Sequence, residues 1–231
     1  GRQLKADRSG ARTIGRQKYT ATLRGVAKPI WVKLVIHQTG NTQMPRFHSF
    51  ALVSLFAALM AVLGLIPKID LAFGVPITLQ TLGVMLAGCL LGPRLAFQAL
   101  VLFLTAVAVG LPLLSGGRGG FGVFFTPSAG YLLAWPIGAF VTGWLMQVMP
   151  SSTPARVAFS AFFASSIGGL VLIHASGVVG LTKIAGMTMI QALVATSTFV
   201  PGDLIKCVLC AFVCHTVARG LPDWKFSNVK V

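Results

Sequence analysis

Apolar residues along this chain fall into six blocks, separated by short breaks rich in Pro, Gly or polar residues. The first block runs over residues 47–66, about 20 residues, which is long enough to cross a bilayer. Pro67 ends it, and residues 67–76 form a bounded loop. The second block, 77–92, opens with Thr78, Gln80 and Thr81 and is apolar thereafter. Leu91-Gly-Pro-Arg94 reads as a turn, and the third block runs from 95 to about 114. The fourth, 127–149, places Gly130, Ala134 and Gly138 four residues apart, a stripe that lets another helix approach closely. Pro136 lies inside it and predicts a kink. The fifth block covers 156 to about 179, and the sixth 201 to about 217. Residues 182–198 are less apolar and read as a loop plus a short helix near the membrane face. No tandem repeat is visible.

The period and length of these blocks predict an all-α, polytopic membrane protein with six transmembrane helices in one bundle. Composition agrees: 55% hydrophobic, 10% charged, with a mean hydropathy of +0.82. A soluble domain carries about a quarter charged residues. The organisation expected is a basic N-terminal extension over 1–43, dispensable or disordered, a six-helix domain over 44–220, and a short tail over 221–231.

Net charge is +15, but it is unevenly placed. Ten of the 19 Lys and Arg precede residue 47, opposed there by Asp7 alone. Beside a membrane core such a run reads as a positive-inside flank more simply than as a nucleic-acid contact. It could also touch anionic lipid, and an Arg-rich, acid-poor start resembles an organellar transit peptide. Met44 stands just before the first apolar block, so residues 1–43 also read as an upstream extension. Six spans put both termini on one side, and the distribution of Lys and Arg in the loops puts that side in the cytoplasm. The Thr78–Gln80 stretch, the Gly-rich loop and the start of the sixth helix then share the external face.

The chain has four acidic residues, none of them Glu. One, Asp203, lies in the apolar sixth block just after Pro201-Gly202, and Lys206 follows three residues later on the same helix face. Intramembrane ionisable residues mark a substrate path or a paired site. A structural Asp–Lys pair that pins the helix is the plainer alternative. Cys207, Cys210 and Cys214 form one stripe and, like Cys89, read as small buried residues. His215 lies on another face, so a metal site is not indicated. His174 reads as a packed or interfacial histidine. Residues 115–122 contain a formal G-x-G-x-x-G, at Gly117, Gly119 and Gly122, but lack the strand a dinucleotide site requires. The loop instead allows close approach to a ligand and carries Arg118. Thr78, Gln80, Arg118, Asp203 and Lys206 together are a mixed polar set among apolar walls, the pattern of a small-molecule pocket. A ligand with N–H donors suits Asp203, a carbonyl suits Lys206, and a carboxylate suits the Arg118 fork. No catalytic set appears: there is no H-E-x-x-H, no phosphate loop and no Ser-His-Asp arrangement. The chain reads as no enzyme. Any ATP-driven transport would draw its ATPase from partners.

Four motifs in order carry a resemblance: Val75-Pro-Ile-Thr-Leu-Gln-Thr-Leu-Gly-Val-Met-Leu-Ala-Gly; Leu91-Gly-Pro-Arg94; Ser115-Gly-Gly-Arg-Gly-Gly-Phe-Gly-Val-Phe-Phe-Thr-Pro-Ser-Ala-Gly-Tyr-Leu132; and Phe199-Val-Pro-Gly-Asp-Leu-Ile-Lys206. Over about Met44 to Arg219 the chain resembles BioY, the biotin-specific substrate-capture (S) component of energy-coupling factor (ECF) transporters. The resemblance implies a six-helix protein of the inner cell membrane that captures biotin outside. It also implies a partner module of one transmembrane coupling (T) subunit and two ATPase subunits, although some members of the family are thought to act without it. The implied biotin contacts are Asp203, Lys206, Arg118, Thr78, Gln80, Gly117, Gly119 and Tyr131. Ala57 and Ala61 resemble the small-residue surface such subunits show to the coupling partner. No cofactor, metal or nucleic acid is implied, lipid is the surrounding medium, and a homo-oligomer stays open. Rival readings are a structural or assembly membrane protein and a secondary transporter of another vitamin-like solute.

Overall fold

The computed structural model describes residues 46–68 and 77–221, together with Trp224 and Phe226. The chain divides into two units, Gly1–Gln43 and Met44–Val231, and the helices below belong to the second. The expectations for residues 1–43 and for most of the C-terminal tail lie outside the described residues.

Seven helices follow in order among the described residues: α1 (Arg46–Leu65), α2 (Gln80–Leu91), α3 (Pro93–Ala108), α4 (Ala129–Val148), α5 (Pro154–Ile184), α6 (Met189–Ser197) and α7 (Val200–Gly220). The protein is an all-α bundle, and α4, α5 and α7 are each long and apolar enough to cross a membrane. α1, α2 and α3 contribute shorter apolar stretches. At about 1.5 Å per residue, α2 rises only about 18 Å, short of the ~30 Å hydrocarbon core. It compensates by lying inside the bundle, with Val84, Met85, Ala87, Gly88, Cys89 and Leu91 all buried. A helix that is apolar all round belongs in such a central place. The outer helices instead expose large apolar residues such as Ile137, Phe140, Val208 and Phe212, the expected lipid-facing surface.

Helix ends follow the sequence punctuation. Gly92, at φ 83°, turns the chain between α2 and α3, and Pro93 opens α3, where its missing N–H costs nothing. α3 stops at Ala108, earlier than the apolar block suggests, because Gly110 takes a φ of 117° and Pro112 cannot continue a helix. Val109, Gly110 and Leu111 still bond back into α3, and residues 112–114 then leave helical pairing and lead into the Gly-rich loop. The Thr153 side chain caps α5 by accepting from the Arg156 N–H at 3.3 Å. Thr188 and Gln191 form a reciprocal capping box on the short α6, which the sequence places as a short helix in this region.

The small-residue stripe of α4 does pack closely. A Cβ on Gly130 would come within 2.6 Å of the Ser176 carbonyl oxygen, and one on Gly138 within 2.7 Å of that of Gly168. Both partners are on α5. The cysteine stripe of α7 packs on α2, with Cys210 Sγ 3.7 Å from Cys89 Sγ and all four thiols free and buried. Residues 166–172 of α5 wind as a π-helix. That wider turn sits directly before His174.

Candidate functional site

Pro201 stands in the first turn of α7, two residues before Asp203, and a helix N-terminus favours an anion there. Asp203 and Lys206 are 4% and 6% exposed, so both charges are almost closed from water. Lys206 Nζ donates to Asp203 Oδ1 at 2.6 Å, to Thr81 Oγ1 at 2.8 Å and to the Thr78 carbonyl oxygen at 2.6 Å. Thr81 in turn donates to Asp203 Oδ1 at 3.1 Å. The ammonium thus has three partners, as many as it has hydrogens. Buried charges survive only when paired and hydrogen-bonded in this way. The other carboxylate oxygen, Oδ2, lies 3.3 Å from His174 Nε2.

These groups open onto one cavity. Its wall includes Thr78, Gln80, Thr81, Arg118, Ser128, Tyr131, His174, Asp203 and Lys206 as polar members. Ile77, Leu114, Leu132, Trp135, Ile173 and Phe199 supply its apolar face. Tyr131 Oη shares a hydrogen bond of 2.7 Å with Thr196 Oγ1, and its ring meets His174 edge-on at 6.1 Å between centroids. Arg118 is half-buried and reaches Ser128 Oγ at 3.4 Å through Nη1. Its backbone pairs with Leu114 in a one-residue antiparallel bridge that closes the Gly-rich loop. Trp135 is buried at the wall, and its indole N–H has no hydrogen-bond partner among the described residues.

Thr78, Gln80, Arg118, Tyr131, Asp203 and Lys206 are therefore brought together although they span more than half the chain. Two of them behave differently from a simple ligand contact. Gln80 is fully buried, and Nε2 donates to the carbonyl oxygens of Met60 and Leu113, both at 3.1 Å. Its Oε1 accepts from the Ser115 N–H at 3.2 Å. The side chain is a clamp between α1, α2 and the 109–115 segment, and its polar atoms are already engaged. Thr78 contributes its carbonyl oxygen, while the hydroxyl beside the ion pair belongs to Thr81. Gly117 and Gly119 are not part of the cavity wall. Gly117 has a φ of 69°, and a Cβ on Gly119 would strike the Leu111 carbonyl. They shape the loop that carries Arg118. Sequence reasoning missed Thr81, His174, Trp135 and Phe199. The Thr81 hydroxyl lies one helical step from Gln80, so fixing the start of α2 would have exposed it. No pattern in the sequence signalled His174.

Ala57 and Ala61 lie away from this cavity, partly exposed on α1. The exposed side of α1 also carries the small residues Ala51, Ser54 and Ala58.

The sequence matches the BioY family over residues 37–223. The biotin transporter BioY of Rhizobium etli is 45% identical over 174 residues, covering 74% of this chain and 93% of the relative. The biotin transporter BioY of Rhodobacter capsulatus is 43% identical over 181 residues, covering 74% and 94%. The probable biotin transporter BioY of Bacillus subtilis is 44% identical over 179 residues, covering 76% and 94%. A crystal structure of the S-component for biotin from an ECF-type ABC transporter superposes with a TM-score of 0.71 at 28% identity, covering 78% of this chain and 95% of that one.

Proposed function

The chain belongs to the BioY family, and on that premise we propose that it captures biotin as the substrate-binding subunit of an ECF-type transporter. It is an integral membrane protein of a transport family and not an enzyme. The observation that carries the ligand reading is the Asp203–Lys206 pair, buried at the wall of a largely apolar cavity. Biotin's ureido ring has two N–H donors and one carbonyl acceptor. The N–H groups would go to Asp203 and the carbonyl to Lys206, so the ligand inserts into the pair. Its sulfur-containing ring and aliphatic chain suit the walls of Leu132, Trp135, Ile173 and Phe199. Its carboxylate would be drawn to Arg118, whose planar fork matches it. Gln80, Gly117 and Gly119 would act by holding the Gly-rich loop against α2, and Tyr131 by fixing the wall beside His174.

Nothing in the chain resembles a nucleotide-binding phosphate loop. Energised uptake would therefore draw on a coupling subunit and two ATPase subunits, with Ala57 and Ala61 turned to the coupling subunit. The loop charges favour cytoplasmic termini in an inner cell membrane. The test is binding of radiolabelled biotin to the purified protein. Saturable binding that unlabelled biotin competes away is the expected result. A folded protein that binds none would leave Asp203–Lys206 as a structural pair.

A further inference from the structure

His174 follows the π-helical turn of α5, and its Nδ1 lies 2.7 Å from the Leu170 carbonyl oxygen. A carbonyl oxygen can only accept, so Nδ1 carries a hydrogen. A neutral imidazole with its hydrogen on Nδ1 presents only a lone pair at Nε2. A carboxylate oxygen also presents only lone pairs. Yet Nε2 lies 3.3 Å from Asp203 Oδ2, with both residues buried. With both groups buried, two lone pairs facing each other repel, and a hydrogen on Nε2 turns that repulsion into an ion pair. We infer that one proton bridges His174 Nε2 and Asp203 Oδ2 before substrate arrives, and that substrate binding displaces it. His174 is then a positioning residue that makes capture pH-dependent.

The other groups around the pair support this placement. Asp203 Oδ1 is occupied by Lys206 and Thr81, so Oδ2 is the oxygen left for a ligand N–H. The titratable or charged side chains that share the cavity wall with His174 are Asp203 and Lys206 from α7, Tyr131 from α4 and Arg118 from the Gly-rich loop. α2 contributes the neutral Thr81. Asp203 is the one carboxylate among these four, so it is the acceptor that faces the proton. The inference rests on the biotin reading above. A ureido N–H that takes Oδ2 keeps its own hydrogen. It removes the acceptor that held the bridging proton, and that proton leaves to solvent. His174 is left neutral, still bonded to Leu170 through Nδ1. The balance is one ligand bound and one proton released.

Calorimetric titration of the full-length protein with biotin, in buffers of different ionisation enthalpy, counts the protons. The measurement runs from about pH 5.5 to about pH 8.5, where imidazoles exchange protons. The biotin carboxyl is ionised throughout this window, since free carboxyls titrate near pH 4. The expected result is release of up to about one proton, with Kd falling by up to about tenfold per pH unit while the bridge is occupied. His174→Gln keeps an amide donor for Asp203 but cannot titrate, so its binding should lose both the release and the pH slope. Wild-type binding without proton release overturns the bridge and leaves the biotin reading intact. So does a pH slope that persists in His174→Gln. Failure of biotin to bind at every pH overturns the biotin reading itself, and this inference with it.

Discussion

Asp203 is the only acidic side chain among the described residues, and its two oxygens serve different neighbours. Oδ1 is held by Lys206 and Thr81, while Oδ2 faces His174. Removing one member of such a buried pair strands the other charge, at a cost of about 3–5 kcal/mol. Asp203→Asn keeps the shape and removes the charge. It should nearly abolish biotin binding and lower the melting temperature in detergent. Changing both Asp203 and Lys206 to Ala should be less damaging than the two single effects added, because contacting residues do not act independently. If the single variants bind biotin like the wild type and lose only stability, the pair is structural. Arg118 makes a smaller, separable prediction. A hydrogen bond to a charged group is worth about 1.5–3 kcal/mol, so Arg118→Ala should weaken biotin by about 10- to 150-fold. Biotin amide, which lacks the carboxylate charge, should lose much less. Equal losses for the two ligands in a binding assay would separate Arg118 from the carboxylate.

At the level of elements, the site depends on the early end of α3. Gly110 and Pro112 stop that helix, and the carbonyl of Leu113 becomes available to Gln80. Gln80 then ties three segments together: α1 through Met60, the 109–115 segment through Leu113 and Ser115, and α2 on which it sits. A backbone group left buried and unpaired costs about 1–3 kcal/mol. Gln80→Leu keeps the volume and orphans the Ser115 N–H and the Leu113 carbonyl. It should cost about 2–6 kcal/mol of stability by that count, seen as a lower melting temperature. Biotin affinity should fall less than in Asp203→Asn, since the Gln80 polar atoms are already engaged. A larger affinity loss at unchanged stability would instead make Gln80 a direct ligand contact. The π-helical turn of α5 is the second such device. π-turns gather at functional sites, and this one sets His174 opposite Asp203.

Across the whole molecule, the cavity and the α1 surface are separate. The cavity is walled by α2, α4, α5, α7 and the Gly-rich loop, while Ala57 and Ala61 sit partly exposed on α1. Small residues at that spacing let another helix approach closely. Replacing both with Leu should leave biotin affinity near that of the wild type and reduce energised uptake when the coupling and ATPase subunits are present. A collapse of affinity with an intact complex would remove these residues from the partner surface.

The apolar blocks by themselves determined where the helices of the bundle lie, though not that, among the described residues, only α4, α5 and α7 are long and apolar enough to cross a membrane, and Pro and Gly determined most of their ends. Both effects are local: burial period and backbone sterics are set by neighbouring residues. The same holds for the Asp203–Lys206 face, which is a spacing of three on one helix, and for the Gly130–Ala134–Gly138 stripe, which needed only close packing. Which polar groups meet across the bundle was not local. Thr81 and Gln80 are adjacent in sequence, and both are neutral hydrogen-bonding side chains. Yet Thr81 joins the ion pair from one side of α2, while Gln80 is drawn to the α1 and Leu113 carbonyls on another. Their division of labour depends on where α2 begins and what packs on each face. His174 looked like an ordinary packed histidine because its partner lies 29 positions away on another helix. Only the winding of the π-turn and the packing of α5 on α7 bring an imidazole nitrogen to a buried carboxylate.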